Sequence, residues 1–208
     1  MTVMQEEQNT DTPAPADVRH DGQPEWLAQE LPEQYTEIAQ KIAALREEAR
    51  TYEEVAAVLW HTGSALTSAV RDLFTAIGFE AELSEYGTTY DLRVNLGNGR
   101  RMLIDVVSEQ QSLDRKSPHI ARILKVLQED AGEKDRVVLA ANIQPGVPPA
   151  ARRGEPVSVD AMRLIQGLGA NFVPTSALFG LWKASLADKD HARNCVLRLY
   201  SMDGGIFR

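Results

Sequence analysis

Apolar and polar positions alternate along this chain in two distinct periods, and the switches between them mark out the elements. After Pro32, the residues Tyr35, Ile38, Ile42, Leu45, Ala49, Tyr52, Ala56 and Leu59 recur at spacings of three and four, the seam of an amphipathic helix. Leu31-Pro32 suits a helix start, because the missing proline N–H would be unpaired there anyway. The pattern predicts a helical arm to about Arg50. A new helix start follows at Thr51, with Glu54 at the capping-box position. Leu66, Val70, Leu73, Phe74 and Ile77 continue with helical period up to Gly78, which suits a left-handed cap. Gly63 divides this stretch into one broken helix or two abutting ones.

The period then falls to two. Phe79–Leu83 and Tyr90–Leu96 alternate apolar and polar residues, and Gly97-Asn98-Gly99 supplies the positive-φ residues of a hairpin turn before a return strand from Arg101 to Val107. Ser117-Pro118 opens a helix with Ile120, Ile123, Leu124 and Leu127 on one side. Arg136–Ile143 is apolar enough for a strand covered on both faces. An irregular loop over 144–156 leads to a short helix capped by Ser158, a strand Asn171–Pro174, and a helix bearing Leu178, Leu181, Trp182 and Leu186. Cys195–Tyr200 alternates again and predicts a late strand. The expectation is an α/β protein with a mixed central sheet and helices on both faces.

Composition adds boundaries. The 208 residues carry a net charge of −8. Residues 1–25 hold Glu6, Glu7, Asp11, Asp17, Asp21 and Glu25 against Arg19, a net of −5, and almost nothing apolar. Such a stretch buries too little surface to offset its ordering entropy and is expected to be a disordered acidic tail. The expected domains are thus this tail, a helical arm over 26–50, and an α/β domain over 51–208. The remaining −3 leaves no overall basic excess, so nucleic acid is at most a weak partner. The arm instead suggests self-association or a protein partner, although packing on its own domain would hide the same seam. No apolar run reaches the roughly 18–20 residues that cross a bilayer. The first residues have neither the basic start nor the apolar core of a signal peptide. With Cys195 as the single cysteine, no intrachain disulfide or cysteine zinc site is expected. A cytoplasmic location follows as the expectation, with no membrane contact.

One residue stands against its surroundings. Asp105 interrupts the core-like run Leu103-Ile104-Asp105-Val106-Val107, and a carboxylate buried there needs a cation, a metal or a proton. A salt bridge to Arg93 or Arg101 of the same hairpin is one solution. The other is a divalent metal such as Mg²⁺ shared with Asp91 at the start of the partner strand. His20, His61, His119 and His191 have no ligand-like spacing and read as surface or packing residues. Ser64 and Ser108 have no evident base, and the Arg152-Arg153 pair reads as solvated.

Asp91, then fourteen residues on Asp105, set within helix–strand–hairpin–helix–strand, resembles the PD-(D/E)xK restriction-endonuclease-like superfamily over about residues 54–187. Leu73–Phe79 is similar to the end of that fold's first helix, Tyr90-Asp91 stands where its Pro-Asp dipeptide would, and Ile104–Val107 stands where its Glu-Val-Lys segment would. The resemblance implies a restriction-endonuclease-like sheet in which Asp91 and Asp105 are the catalytic, metal-holding acids. It also implies a lysine where this chain has Val107, and many relatives carry a first-helix glutamate where Thr67 and Ser68 stand here. Lys116 and Lys125 are the nearest candidates for a relocated lysine. The expectation is a degenerate, catalytically inactive nuclease-fold module without a cofactor, acting as a scaffold or interaction domain. The alternative is a Mg²⁺-dependent DNA endonuclease using a relocated lysine.

Overall fold

The structure is a computed structural model that describes Pro24 and residues 26–208. The acidic tail expected over 1–25, and with it His20, otherwise lies outside the described residues. The described chain divides into two compact units between Tyr52 and Glu53. The first holds a single-turn helix α1 (Leu27–Glu30) and most of a long helix α2 (Glu33–Ala56). The helix start expected at Thr51 is absent. Its hydroxyl bonds back to the Glu47 carbonyl at 3.3 Å inside a continuous helix, the alternative open to any mid-helix threonine.

The second unit is α/β. A 3-10 turn (Ala57–Leu59) precedes α3 (Gly63–Ile77), so the break expected at Gly63 is present. Gly78, at φ 102°, closes α3 by donating its N–H to the Phe74 and Thr75 carbonyls, a geometry that a side chain there would strain. The strands β1 (Glu80–Leu83), β2 (Leu92–Gly97) and β3 (Arg100–Glu109) form an antiparallel meander. Helix α4 (Pro118–Glu129) crosses to β4 (Asp135–Ile143), and α5 (Val159–Gly167) crosses to β5 (Asn171–Pro174). Both crossovers join parallel neighbours. The chain ends in α6 (Thr175–Ser185), α7 (Lys189–Ser201) and a two-residue strand β6 (Gly205–Ile206) parallel to β5. The strands lie in the sheet in chain order.

The strand expected over Cys195–Tyr200 is instead the second half of α7. Asp188 caps that helix by accepting from the His191 N–H, and Ala192, Val196 and Leu199 are buried at spacings of four and three. Six residues of apparent alternation are too short a window to separate the two periods.

Side chains alternate across β3 and β4, which places one apolar core on each face. Val70, Leu73, Phe74 and Ile77 of α3 pack with Met102, Ile104, Val138 and Ala140, joined by α6 and α7. On the other face, Leu103, Val107, Val137 and Leu139 pack with Ile120, Ile123 and Val126 of α4 and Ile165 of α5. Each fully buried large side chain is worth roughly 1.5–3 kcal/mol. Asp105 shares the parity of Leu103 and Val107, so it is driven into the α4 side of the sheet.

Candidate functional site

The site forms where β2 begins beside the middle of β3. The pairing of Leu92 with Ile104, continued one residue, sets Asp91 directly across from Asp105. Two like charges in that relation repel. Asp91 is tied into the end of the β2–β3 ladder twice: its N–H donates to the Ile104 carbonyl at 2.9 Å, and its Oδ2 accepts from the Val106 N–H at 2.7 Å. The carboxylate thus extends the ladder past the end of β2. Asp105 has no exposed surface.

Arg122, on the second turn of α4, lies between them. Its Nη2 donates to Asp91 Oδ1 at 2.6 Å, its Nη1 is 2.5 Å from Asp105 Oδ1, and its Nε donates to the Thr89 carbonyl at 2.7 Å. The Nη1 contact to Asp105 is a close ion pair without good hydrogen-bond alignment, since that oxygen has no aligned donor. One helical turn earlier, His119 Nδ1 is 3.1 Å from Asp105 Oδ2, and its Nε2 is 4.0 Å from Glu109 Oε1. Thr89 is held in turn by the Asp130 carboxylate at the end of α4, through both its N–H and its hydroxyl. The network locks α4 against the β2–β3 edge.

The electrostatics follow from these contacts. Burial pushes the Asp91 carboxyl above its ordinary range, opposed by the Val106 N–H and the Arg122 guanidinium and reinforced by the charge of Asp105. The hydrogen bond to Asp105 raises the His119 imidazole above the ordinary histidine value, with Glu109 adding to the effect and burial opposing it. When protonated, His119 is a second cation facing the carboxylates, and the Asp105 carboxylate favours that form.

The structure brings Asp91 and Asp105 together, as the sequence suggested, but with other partners. Neither Arg93 nor Arg101 serves Asp105. Arg93 pairs with Glu82 on β1, and Arg101 pairs with Asp135 on β4 at 2.5 Å. Each takes the acid directly opposite it in the sheet register, the closest position open to a strand side chain. Lys125 pairs along its own helix with Glu129 at 3.7 Å, and Lys116 lines a groove of about 580 Å³ with Ile120, Leu124 and Leu164 of α4 and α5. Among the described residues, the basic side chains in contact with the two acids are Arg122 and His119. His119, which reads from sequence as a surface or packing residue, is thus part of the site, and Arg122 was missed altogether. The available signal was a histidine and an arginine three residues apart, hence on one helix face, on the element that follows the acid-bearing strand.

A divalent cation does not fit this arrangement. Mg²⁺ takes a near-octahedral set of oxygens, whereas here guanidinium nitrogens fill the space between the two carboxylates. Among the described residues, no group of three or more His, Cys, Asp or Glu side chains is placed to hold a metal ion. Val107, where the resemblance implies a lysine, is 4% exposed within the α4–α5 core. Among the described residues, no helix is long and apolar enough to cross a membrane. No protein-family model matches the chain, nor does any curated protein or solved structure.

Proposed function

We propose that the α/β unit is a degenerate restriction-endonuclease-like module without metal-dependent cleavage, and that the chain acts as a scaffold or interaction protein. The observation that carries this reading is the Arg122 guanidinium bonded to both Asp91 and Asp105. Paired acids that serve a metal need open coordination positions and a nearby proton donor or acceptor for water. Here an internal cation bridges them, and the Val107 side chain can neither carry charge nor donate a hydrogen bond. The run α3–β1–β2–β3–α4–β4 supports the nuclease-like part of the reading, because it follows the helix–strand–hairpin–helix–strand order that the resemblance implies. The same architecture without an open site suits a rigid platform for binding.

The test is direct. Purified protein incubated with plasmid and single-stranded DNA and Mg²⁺ or Mn²⁺ is expected to leave both substrates intact. Metal-dependent cleavage that disappears in an Asp105→Ala variant would overturn the proposal and establish the nuclease alternative.

A further inference from the structure

Among the described residues, helix α2 carries one line of large exposed apolar side chains. Ile38, Leu45 and Tyr52 are 54%, 63% and 44% exposed, and their spacing of seven puts them in one line along the helix. The neighbouring side is different: Ala39 is buried, while Tyr35, Ile42 and Ala43 are half-buried. Beside the exposed line run Lys41 and Glu48, both exposed, placed almost evenly before and after Leu45.

We propose that this face pairs with the same face of a second copy of the chain, antiparallel, about a two-fold axis at Leu45. The pattern is self-complementary under that operation, as an isologous contact requires. Turning the helix about Leu45 sets Leu45 against Leu45, Ile38 against Tyr52, and Lys41 beside Glu48 of the other copy. The three apolar side chains of each copy then cover one another over about 21 Å of helix, flanked by two opposite-charge pairs. A parallel pairing brings like charges together instead, Lys41 facing Lys41 or Arg46 and Glu48 facing Glu48 or Glu53. The antiparallel register sets Arg46 beside its own copy, one like-charge contact against the several of the parallel pairing, so charge favours the antiparallel register. This interface supplies a partner for the scaffold reading and rests on it for its purpose. Its test reads association rather than cleavage, so the two can fail separately.

Sedimentation of the full chain at tens of micromolar is expected to show a concentration-dependent dimer. Lys41→Glu and Glu48→Lys should each weaken the dimer about fivefold by placing like charges opposite one another, and the double swap should restore it. In a Cys195→Ser background, an oxidised mixture of Ile38→Cys and Tyr52→Cys chains should form the mixed disulfide dimer, while Ile38→Cys alone should not. Far-UV circular dichroism of each variant checks that α2 remains helical. A parent that sediments as a monomer, a double swap that fails to restore association, or efficient crosslinking of Ile38→Cys to itself would each overturn the antiparallel pairing.

Discussion

Arg122→Met tests the network at its centre, because methionine keeps much of the side-chain length and removes the charge and the donors. The substitution deletes the contacts to Asp91 at 2.6 Å, to Asp105 at 2.5 Å and to the Thr89 carbonyl at 2.7 Å. Removing one partner of a buried ion pair destabilises by about 3–5 kcal/mol, since the remaining charge stays desolvated. The side chains here are unequally buried: Asp105 is 0% exposed, Asp91 22% and Arg122 34%. Water can reach Asp91, and His119 still faces Asp105, so the lower end of that range applies, about 3 kcal/mol. For a chain of this size that corresponds to a Tm lowered by roughly 6–12 °C. Denaturant melts should show a lower midpoint at unchanged slope. Arg122→Lys, which keeps the charge but not the planar fork, should fall between parent and Arg122→Met. If Arg122→Met melts within about 1 kcal/mol of the parent, the guanidinium is not what holds the two carboxylates, and the site is not closed by it.

Three further outcomes follow from the same geometry. The double variant Arg122→Met/Asp105→Leu should recover much of the stability that Arg122→Met loses, because apolar replacements of a buried pair are often neutral; additive losses in a double-mutant cycle would contradict the coupling. Val107→Lys should lose several kcal/mol without gaining nuclease activity, since the ammonium would enter the Leu103–Leu113–Ile123 core; a stable variant that cleaves DNA would mean the lysine position remains functional. His119→Gln should show a pH-dependent deficit relative to the parent. The folded-state value of His119 is raised, so its stabilisation is fully present below the unfolded-chain value and is lost as pH rises through the folded value. The deficit should be larger at about pH 6 than at about pH 9, and equal deficits at the two would remove His119⁺ from the network.

Most of the layering was legible because it rests on local chemistry. The αL cap at Gly78, the Gly97–Gly99 turn and the Ser117-Pro118 helix start are set by backbone preferences of a few adjacent residues. The parity of β3, visible as Leu103, Asp105 and Val107 on one face, even indicated that Asp105 was buried. Its partner was not legible. Arg93 and Arg101 are near in sequence, but each is claimed by an acid opposite it on another strand, and sequence proximity does not reveal that register. Arg122 reaches Asp105 only because α4 crosses over the sheet, a relation fixed by the packing of Ile120, Ile123 and Val126 rather than by any motif. The misread segment at Cys195–Tyr200 failed for a related reason: its helical period appears only when Asp188 and Ala192 are included.

The position of Arg122 also bears on why two aspartates stand opposite each other where strand pairing disfavours them. Without a cation between them, Asp91 and Asp105 would repel across the β2–β3 edge, and burial already pushes Asp91 toward its protonated form. A divalent ion would relieve that repulsion only when bound. Arg122 relieves it permanently, and it comes attached to α4, whose apolar face is already fixed against β3 and β4. The backbone that carries the guanidinium is therefore already ordered, and only its side-chain rotamers remain to be fixed. The Arg122 Nε also donates to the Thr89 carbonyl, and Asp130 at the far end of α4 helps to hold Thr89 in place. An incoming metal would have to displace the guanidinium from Asp91, Asp105 and the Thr89 carbonyl together. These three contacts set the arrangement apart from an isolated surface salt bridge, which has one. The proposed loss of metal-dependent cleavage rests on that joint displacement.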